Sequence, residues 1–401
     1  VFNKYKKVLA LDGALSFTMA GLIARFPISM YGLGTVLLVQ ARTGSYFKAG
    51  VMAAAFAISA AVGGPITSRL ADKFGQNKLI PVQLTIHVSA LLLTIILILN
   101  DINLYVVVIF AIISGTSVPV IGPFVRARWK NISQNRQQQN TAFALESIFD
   151  EVIFIFGPPL VTFLCVTFYE ASGLILAAIL VTIGSTWLAS QTKTQPEIHK
   201  INDARGRSAI LYPGIFSIFL VYVLLGAVFG AAEVIAVAFS REKGSPELAG
   251  ALITAWSVGS LVAGVVMGAI HFKNKLSNRF LLASFFFAIS LVPLPFISTL
   301  PTLFFTLLIS GLAISPVLIS GYTLIGQLVP QNRLTEGFAW ANTGAGLGLA
   351  LASAIAGWVI DTSGAQVAFW VVAGAGILTF AITLLTFKDL KRADSRSSIS
   401  A

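Results

Sequence analysis

Residues Ser68-Arg69-Leu70-Ala71-Asp72-Lys73-Phe74-Gly75-Gln76-Asn77-Lys78 form a short charged hinge between two apolar runs, 46–68 and 79–99. Each flanking run is as long as the roughly 20 residues an α-helix needs to cross about 30 Å of hydrocarbon. Working outward, apolar runs of similar length recur near 12–39, 104–126, 139–167, 172–190, 211–239, 248–270, 279–299, 302–326, 335–360 and 364–387, which makes twelve. They are continuous rather than alternating, which predicts helices and excludes barrel strands of about 9–11 residues. The whole chain of 401 residues is 56% hydrophobic and 11% charged. Soluble domains carry about 25% charged residues, so this chain lacks the polar surface to coat a soluble particle, and soluble enzyme folds are excluded.

The hinge holds Arg69, Lys73 and Lys78, and the same sign returns on every second loop. With both termini on the cytoplasmic side, the inner segments contain 22 of the 27 basic residues and the outer loops only Arg42, Lys48, Arg241 and Lys243. That asymmetry is the orientation signal of a membrane protein, so the net charge of +11 calls for no nucleic-acid partner. It places the chain in the plasma (inner) membrane as a multi-pass protein whose surroundings are the lipid bilayer. The short basic tail from Lys388 to Arg396 suits anionic headgroups. Lys4 to Lys7 precede an apolar run that passes 20 residues without a small-residue cleavage site, so it is expected to be the first span and not a secretory leader. The lone Cys165 forms no intrachain disulfide, and no Cys/His spacing suits zinc, so neither a metal nor a cofactor is expected. No P-loop pattern and no Ser/His/Asp set is present, so the reading is of a non-enzyme driven by a gradient or by none.

The long polar stretch 190–208 divides six runs from six, and the halves echo each other. Gly44-Ser45 with Ala49-Gly50 returns as Gly244-Ser245 with Ala249-Gly250. Ile113-Ser114-Gly115 returns as Ile309-Ser310-Gly311, Gln134-Asn135-Arg136 as Gln331-Asn332-Arg333, and Phe143-Ala144 as Phe338-Ala339. Four matches in one order at offsets of 195 to 200 indicate a duplicated bundle, and parallel repeats of this kind imply a cavity between them. The expected architecture is all-α and integral to the membrane: twelve transmembrane helices in two pseudo-symmetric six-helix bundles, 1–190 and 211–388, with a cytoplasmic linker 191–210 and a tail 389–401.

The hinge itself resembles the loop motif between the second and third spans of the major facilitator superfamily. Ala71, Asp72, Gly75 and Lys78 fit that motif, Lys73 is a conservative match, and Ser68 and Gln76 depart from it. The resemblance covers essentially the whole chain and has the look of bacterial efflux-type members. It implies a secondary transporter that rocks its halves around a midplane site. It also implies that the gating loop of Asp72, Lys73 and Gly75 works with Arg126, Arg128 or the start of the eleventh span near Thr335. Gly157-Pro158 in the fifth span is similar to the core of an antiporter-associated motif, although Val161-Thr162 stand where two glycines belong. A simple helix kink at Gly157 and Pro158 is the alternative.

Ionisable groups inside a bilayer cost at least about 2.5–3.5 kcal/mol each and are functional candidates by default. Here they are Arg25 in the first span, Glu146, Asp150 and Glu151 in the fifth, and Glu233 in the seventh. Glu146 and Asp150 share a helix face, and Glu151 points about 100° away from Asp150. A nearby guanidinium stabilises a carboxylate's charge and desolvation opposes it, so a carboxylate alternating between those surroundings loads and unloads a proton. Asp150 or Glu151 is therefore expected to carry protons beside Arg25, which the resemblance places in the same bundle. A permanent ion pair that fixes helix register is the competing role. Glu233 is a candidate for a cationic substrate group, or else pairs with Arg241. His87, Trp256 and Trp340 are expected to be packing residues. The functional expectation is a monomer that exports a small molecule in exchange for protons. Proton symport, facilitated uptake and a non-transporting sensor or scaffold are the alternatives.

Overall fold

The computed structural model describes residues 2–196, 208–269, 275–329 and 334–391. Every regular element among them is helical. A short amphipathic α1 (Phe2–Leu9) is followed by α2 (Ala14–Arg25), α3 (Ile28–Thr43), α4 (Tyr46–Phe74), α5 (Gln76–Leu99), α6 (Leu104–Ser117), α7 (Ile121–Ile132), α8 (Arg136–Thr167) and α9 (Ser172–Ser190). The remainder is α10 (Ile215–Glu242), α11 (Ala249–Ala269), α12 (Leu276–Leu291), α13 (Leu300–Gly311), α14 (Ile314–Leu328), α15 (Leu334–Ser363) and α16 (Ala365–Leu385). They make up twelve spans long and apolar enough to cross a bilayer.

Among the described residues, three spans are each built of two α-helices. The first breaks between α2 and α3 at Phe26-Pro27, the fourth between α6 and α7 at Val118-Pro119-Val120, and the tenth between α13 and α14 just after Gly311. Proline accounts for the first two breaks, because it donates no hydrogen bond and its ring collides with the preceding turn. The fourth span runs on to Ile132 instead of stopping near residue 126, and the two arginines at its end consequently lie inside a helix.

The chain divides into two compact units, one of Val1–Arg42 and Ile58–Asp203 and the other of Thr43–Ala57 and Ala204–Ala401. The division falls within α4, so the amino-terminal part of that helix groups with the second unit. Inside the first unit, α2 packs on α9 and α7, and α5 lies against α6 and α9. Inside the second, α10 runs along α15 and α16, and α11 along α13 and α14.

The repeat read in the sequence has a backbone counterpart. Gly44 and Gly244 both take positive φ, 70° and 75°, where the chain leaves one helix and turns into the next. That left-handed conformation is open to glycine at no steric cost, which explains the Gly-Ser match. Gly63 of α4 lies against Thr116 of α6, and at the equivalent place Gly259 of α11 lies against Gly311 of α13.

Close approach is most extensive between α10 and α15. A Cβ on Gly226 would lie 1.8 Å from the Ala345 carbonyl oxygen, and one on Gly348 would lie 1.7 Å from that of Val223. In a bilayer, helix association draws on this packing and not on expulsion of water. Gly348→Ala is expected to cost about 1–3 kcal/mol through forced separation of the two backbones. Gly374→Ala, where no atom lies within 4 Å, is expected to be neutral. Thermal unfolding of the two purified variants in nanodiscs checks this, and equal melting temperatures would contradict the packing argument.

Candidate functional site

Arg25 ends α2 about 17 Å along the helix axis from Ala14, so its side chain leaves the backbone deep within the span. The residue is 1% exposed. Its Nε donates to the Gly21 carbonyl at 3.2 Å, its Nη1 to Asp150 Oδ1 at 2.8 Å, and its Nη2 to Glu146 Oε2. Glu146 is fully buried, and its other oxygen accepts from Trp129 Nε1 at 2.7 Å. Asp150 Oδ2 accepts from Arg126 Nη2 at 2.8 Å. One carboxylate is thus sealed between Arg25 and Trp129, while the other is shared by two guanidiniums.

Local sequence explains the convergence. Glu146 and Asp150 lie one turn apart on α8. Gly122, Arg126 and Trp129 share a face of α7 at spacings of four and three residues. A Cβ on Gly122 would lie 3.3 Å from Arg126 Nη1 and 3.7 Å from Arg25 Cδ, so glycine there leaves room for both arginines. Trp129 is fixed edge-on against Phe17 of α2, with ring centroids 4.8 Å apart. Exposure separates the two carboxylates: the Glu146 side chain is 0% exposed, and those of Asp150 and Arg126 are 36% and 38%.

Glu151 follows on the same helix, half-buried, with no hydrogen-bond or salt-bridge partner among the described residues. Glu233 lies on α10 in the other unit, also half-buried, and takes no part in the Arg25 network. Gly157 continues the α8 face beyond Asp150 and lets α8 meet the first span at Ser29, whose Oγ would fall 1.8 Å from a Cβ. Pro158 and Pro159 are accommodated inside the continuous helix α8.

The hinge is built around Gly75, at φ 87°, between α4 and α5. The Asp72 side chain lies outside the described residues; Lys73 is exposed, with its Nζ 5.1 Å from the centre of the Phe74 ring. Of the two cations expected at the gating loop, Arg126 reaches the ion network, whereas Arg128 contacts the hinge at Gln76, next to Gly75. Arg128 is fully buried and donates to Gln76 Oε1, to the carbonyls of Leu188 and Gln191, and to Thr194 Oγ1, at 2.7 to 3.0 Å. It ties the start of α5 to the carboxyl end of α9, where helix carbonyls lack partners and favour a cation.

His87 is a packing residue, buried between Tyr31 and Ser114. Nδ1 lies 2.9 Å from the Ser114 carbonyl, which only accepts, so Nδ1 carries the proton and Nε2 accepts from the Tyr31 hydroxyl at 2.8 Å. Sequence reasoning missed Trp129 and Gly122. The signal that finds them is their helical spacing from Arg126.

A family model described as Major Facilitator Superfamily matches residues 17–239 and 215–400. No curated protein matches the chain in sequence. Among solved structures, the nucleoside transporter NupG superposes with a TM-score of 0.71 at 14% identity, covering 94% of this chain and 100% of its own. A bacterial homologue of the iron transporter ferroportin, in an inward-facing state, gives 0.72 at 13% identity over 92% and 97%. The human organic anion transporter MFSD10 gives 0.62 at 14% identity over 92% and 98%.

Removing Arg25 leaves Glu146 sealed without its guanidinium partner. Arg25→Ala is expected to destabilise the protein by about 3–5 kcal/mol, as for other broken buried pairs. Arg126→Ala opens a part-exposed pair and is expected to cost no more than about 1 kcal/mol. Thermal unfolding in nanodiscs separates the two, and equal losses would mean that Arg25 is not the structural keystone.

Proposed function

The chain belongs to the Major Facilitator Superfamily, and from that premise we propose that it exports a small molecule in exchange for protons, with Asp150 as the proton-carrying carboxylate. The observation that supports this is the division of labour in the ion network. Glu146 is sealed, while Asp150 is held by the same arginine and remains accessible. In this conformation Asp150 is gripped as an anion by two guanidiniums. A rearrangement that withdraws them leaves the carboxylate without a cationic partner, free to take a proton in their place.

The carboxylates that lie near or in the Arg25 network suit exchange. Glu146, Asp150 and Glu151 set three carboxylates against the guanidiniums of Arg25 and Arg126. The accessible carboxylates Asp150 and Glu151 suit either a proton or a cationic group of an amphipathic substrate, and occupancy by one disfavours the other. Neighbours of the same fold are described as carriers of nucleosides, iron and organic anions, so the charge of the site, and not the fold, is the guide to cargo. The alternation of basic loops supports both termini in the cytoplasm, and the reading is completed by a monomer in the plasma (inner) membrane.

Asp150→Asn keeps the size and hydrogen-bonding reach of the side chain and removes its titration. In proteoliposomes with an imposed pH gradient, this variant is expected to lose gradient-driven flux of amphipathic cations while retaining exchange of substrate for substrate. Glu151→Gln is expected to weaken cation affinity severalfold. Gradient-driven flux at the parental rate in Asp150→Asn overturns the assignment.

A further inference from the structure

Helix α4 belongs to both compact units: Thr43–Ala57 groups with the second and the chain from Ile58 onward with the first. The grip of the second unit on its share of this helix centres on one side chain. Asp361, near the carboxyl end of α15, accepts from Tyr46 N at 2.8 Å through Oδ1, and from Phe47 N at 2.9 Å and Ser45 Oγ at 2.6 Å through Oδ2. The first N–H groups of a helix have no partner within it, and a carboxylate there also meets the positive end of the helix dipole. Ser45 completes the arrangement, since its Oγ accepts from Lys48 N at 3.2 Å. The helix thus starts with a local serine cap that is itself held by an aspartate from the far end of the sequence.

Below this cap the two helices meet backbone to backbone. A Cβ on Gly357 would lie 2.3 Å from the Tyr46 carbonyl oxygen, and one on Gly50 would lie 2.2 Å from that of Ser353. Ala49 and Ala53 are buried in the same contact region, at 0% and 3% exposure. Small residues meeting in this way form no interlocking side-chain ridges, so the surfaces part and rejoin without repacking. Asp361 itself is exposed, and water replaces its hydrogen bonds when the cap lets go.

We infer that Asp361 is a positioning residue of the transport cycle: its carboxylate holds the amino-terminal part of α4 on the second unit in this conformation and releases it in the alternate one. The inference needs only that the chain alternates between conformations. It does not depend on proton coupling at Asp150.

The test is read without substrate or pH gradient. A single reporter, Ala53→Cys in a Cys165→Ser background, is labelled with a maleimide in nanodiscs. Adding Asp361→Ala is expected to speed labelling about two- to thirtyfold, the range spanned by loss of a helix cap, and Asp361→Glu is expected to return it toward the parental rate. A purely structural role would lower the melting temperature while leaving labelling below the melt unchanged. Parental labelling in folded Asp361→Ala therefore overturns the inference. Should that variant fail to fold, Ser45→Ala, which removes one of the three bonds, is expected to give a smaller acceleration, and parental labelling there overturns it equally.

Discussion

A guanidinium buried in the membrane part of the chain must be matched in charge and geometry, and the Arg25 network meets that requirement. Its three nitrogens all find acceptors, two of them carboxylates from a helix more than a hundred residues away. The break at Phe26-Pro27 ends α2 just where Arg25 has to reach α8. Gly122 clears the space, and Trp129 occupies the remaining oxygen of Glu146. Disturbing any of these returns an unpaired charge to a medium that does not solvate it. The positions of α2, α7 and α8 are therefore coupled through electrostatics, and any change of protonation at Asp150 is felt by both arginines.

The two units share a duplicated backbone plan and stabilise it differently. The first adds polar contacts to its apolar core: the Arg25 network, the Arg128 clasp on α9, and the chain from Tyr31 through His87 to Ser114. In the second, glycine faces bring α10 and α15 together, flanked by edge-on aromatic pairs such as Phe219 with Trp340 and Tyr222 with Tyr322. Contacts without ridges let helices slide past one another. Asp361 adds a polar hold to a contact of the smooth kind.

Much of this was legible from residue order because the bilayer imposes a strict code. Span length, the alternation of basic loops and the Gly44/Gly244 repeat each follow from a single physical requirement, and the helices occupy those places. The candidates Arg25, Glu146 and Asp150 were found because charge in an apolar run is costly, and they stand together. The Arg126 partner was not legible, for the converse reason. Three cations between residues 126 and 130 look like the end of a span, yet Asp150 on α8 pairs with Arg126 and the helix continues to Ile132. Asp361 left no trace in the sequence, since an aspartate at a span boundary is commonplace and its partners stand 314 to 316 positions earlier.

The account stands most directly on whether Asp150 takes up a proton. Infrared difference spectra of the protein in nanodiscs, recorded as the pH is lowered, report a protonated carboxyl group in apolar surroundings as a band separate from ionised carboxylates. The account predicts a titrating band of this kind that disappears in Asp150→Asn and persists in Asp361→Ala. A titration identical in the parent and in Asp150→Asn would contradict it.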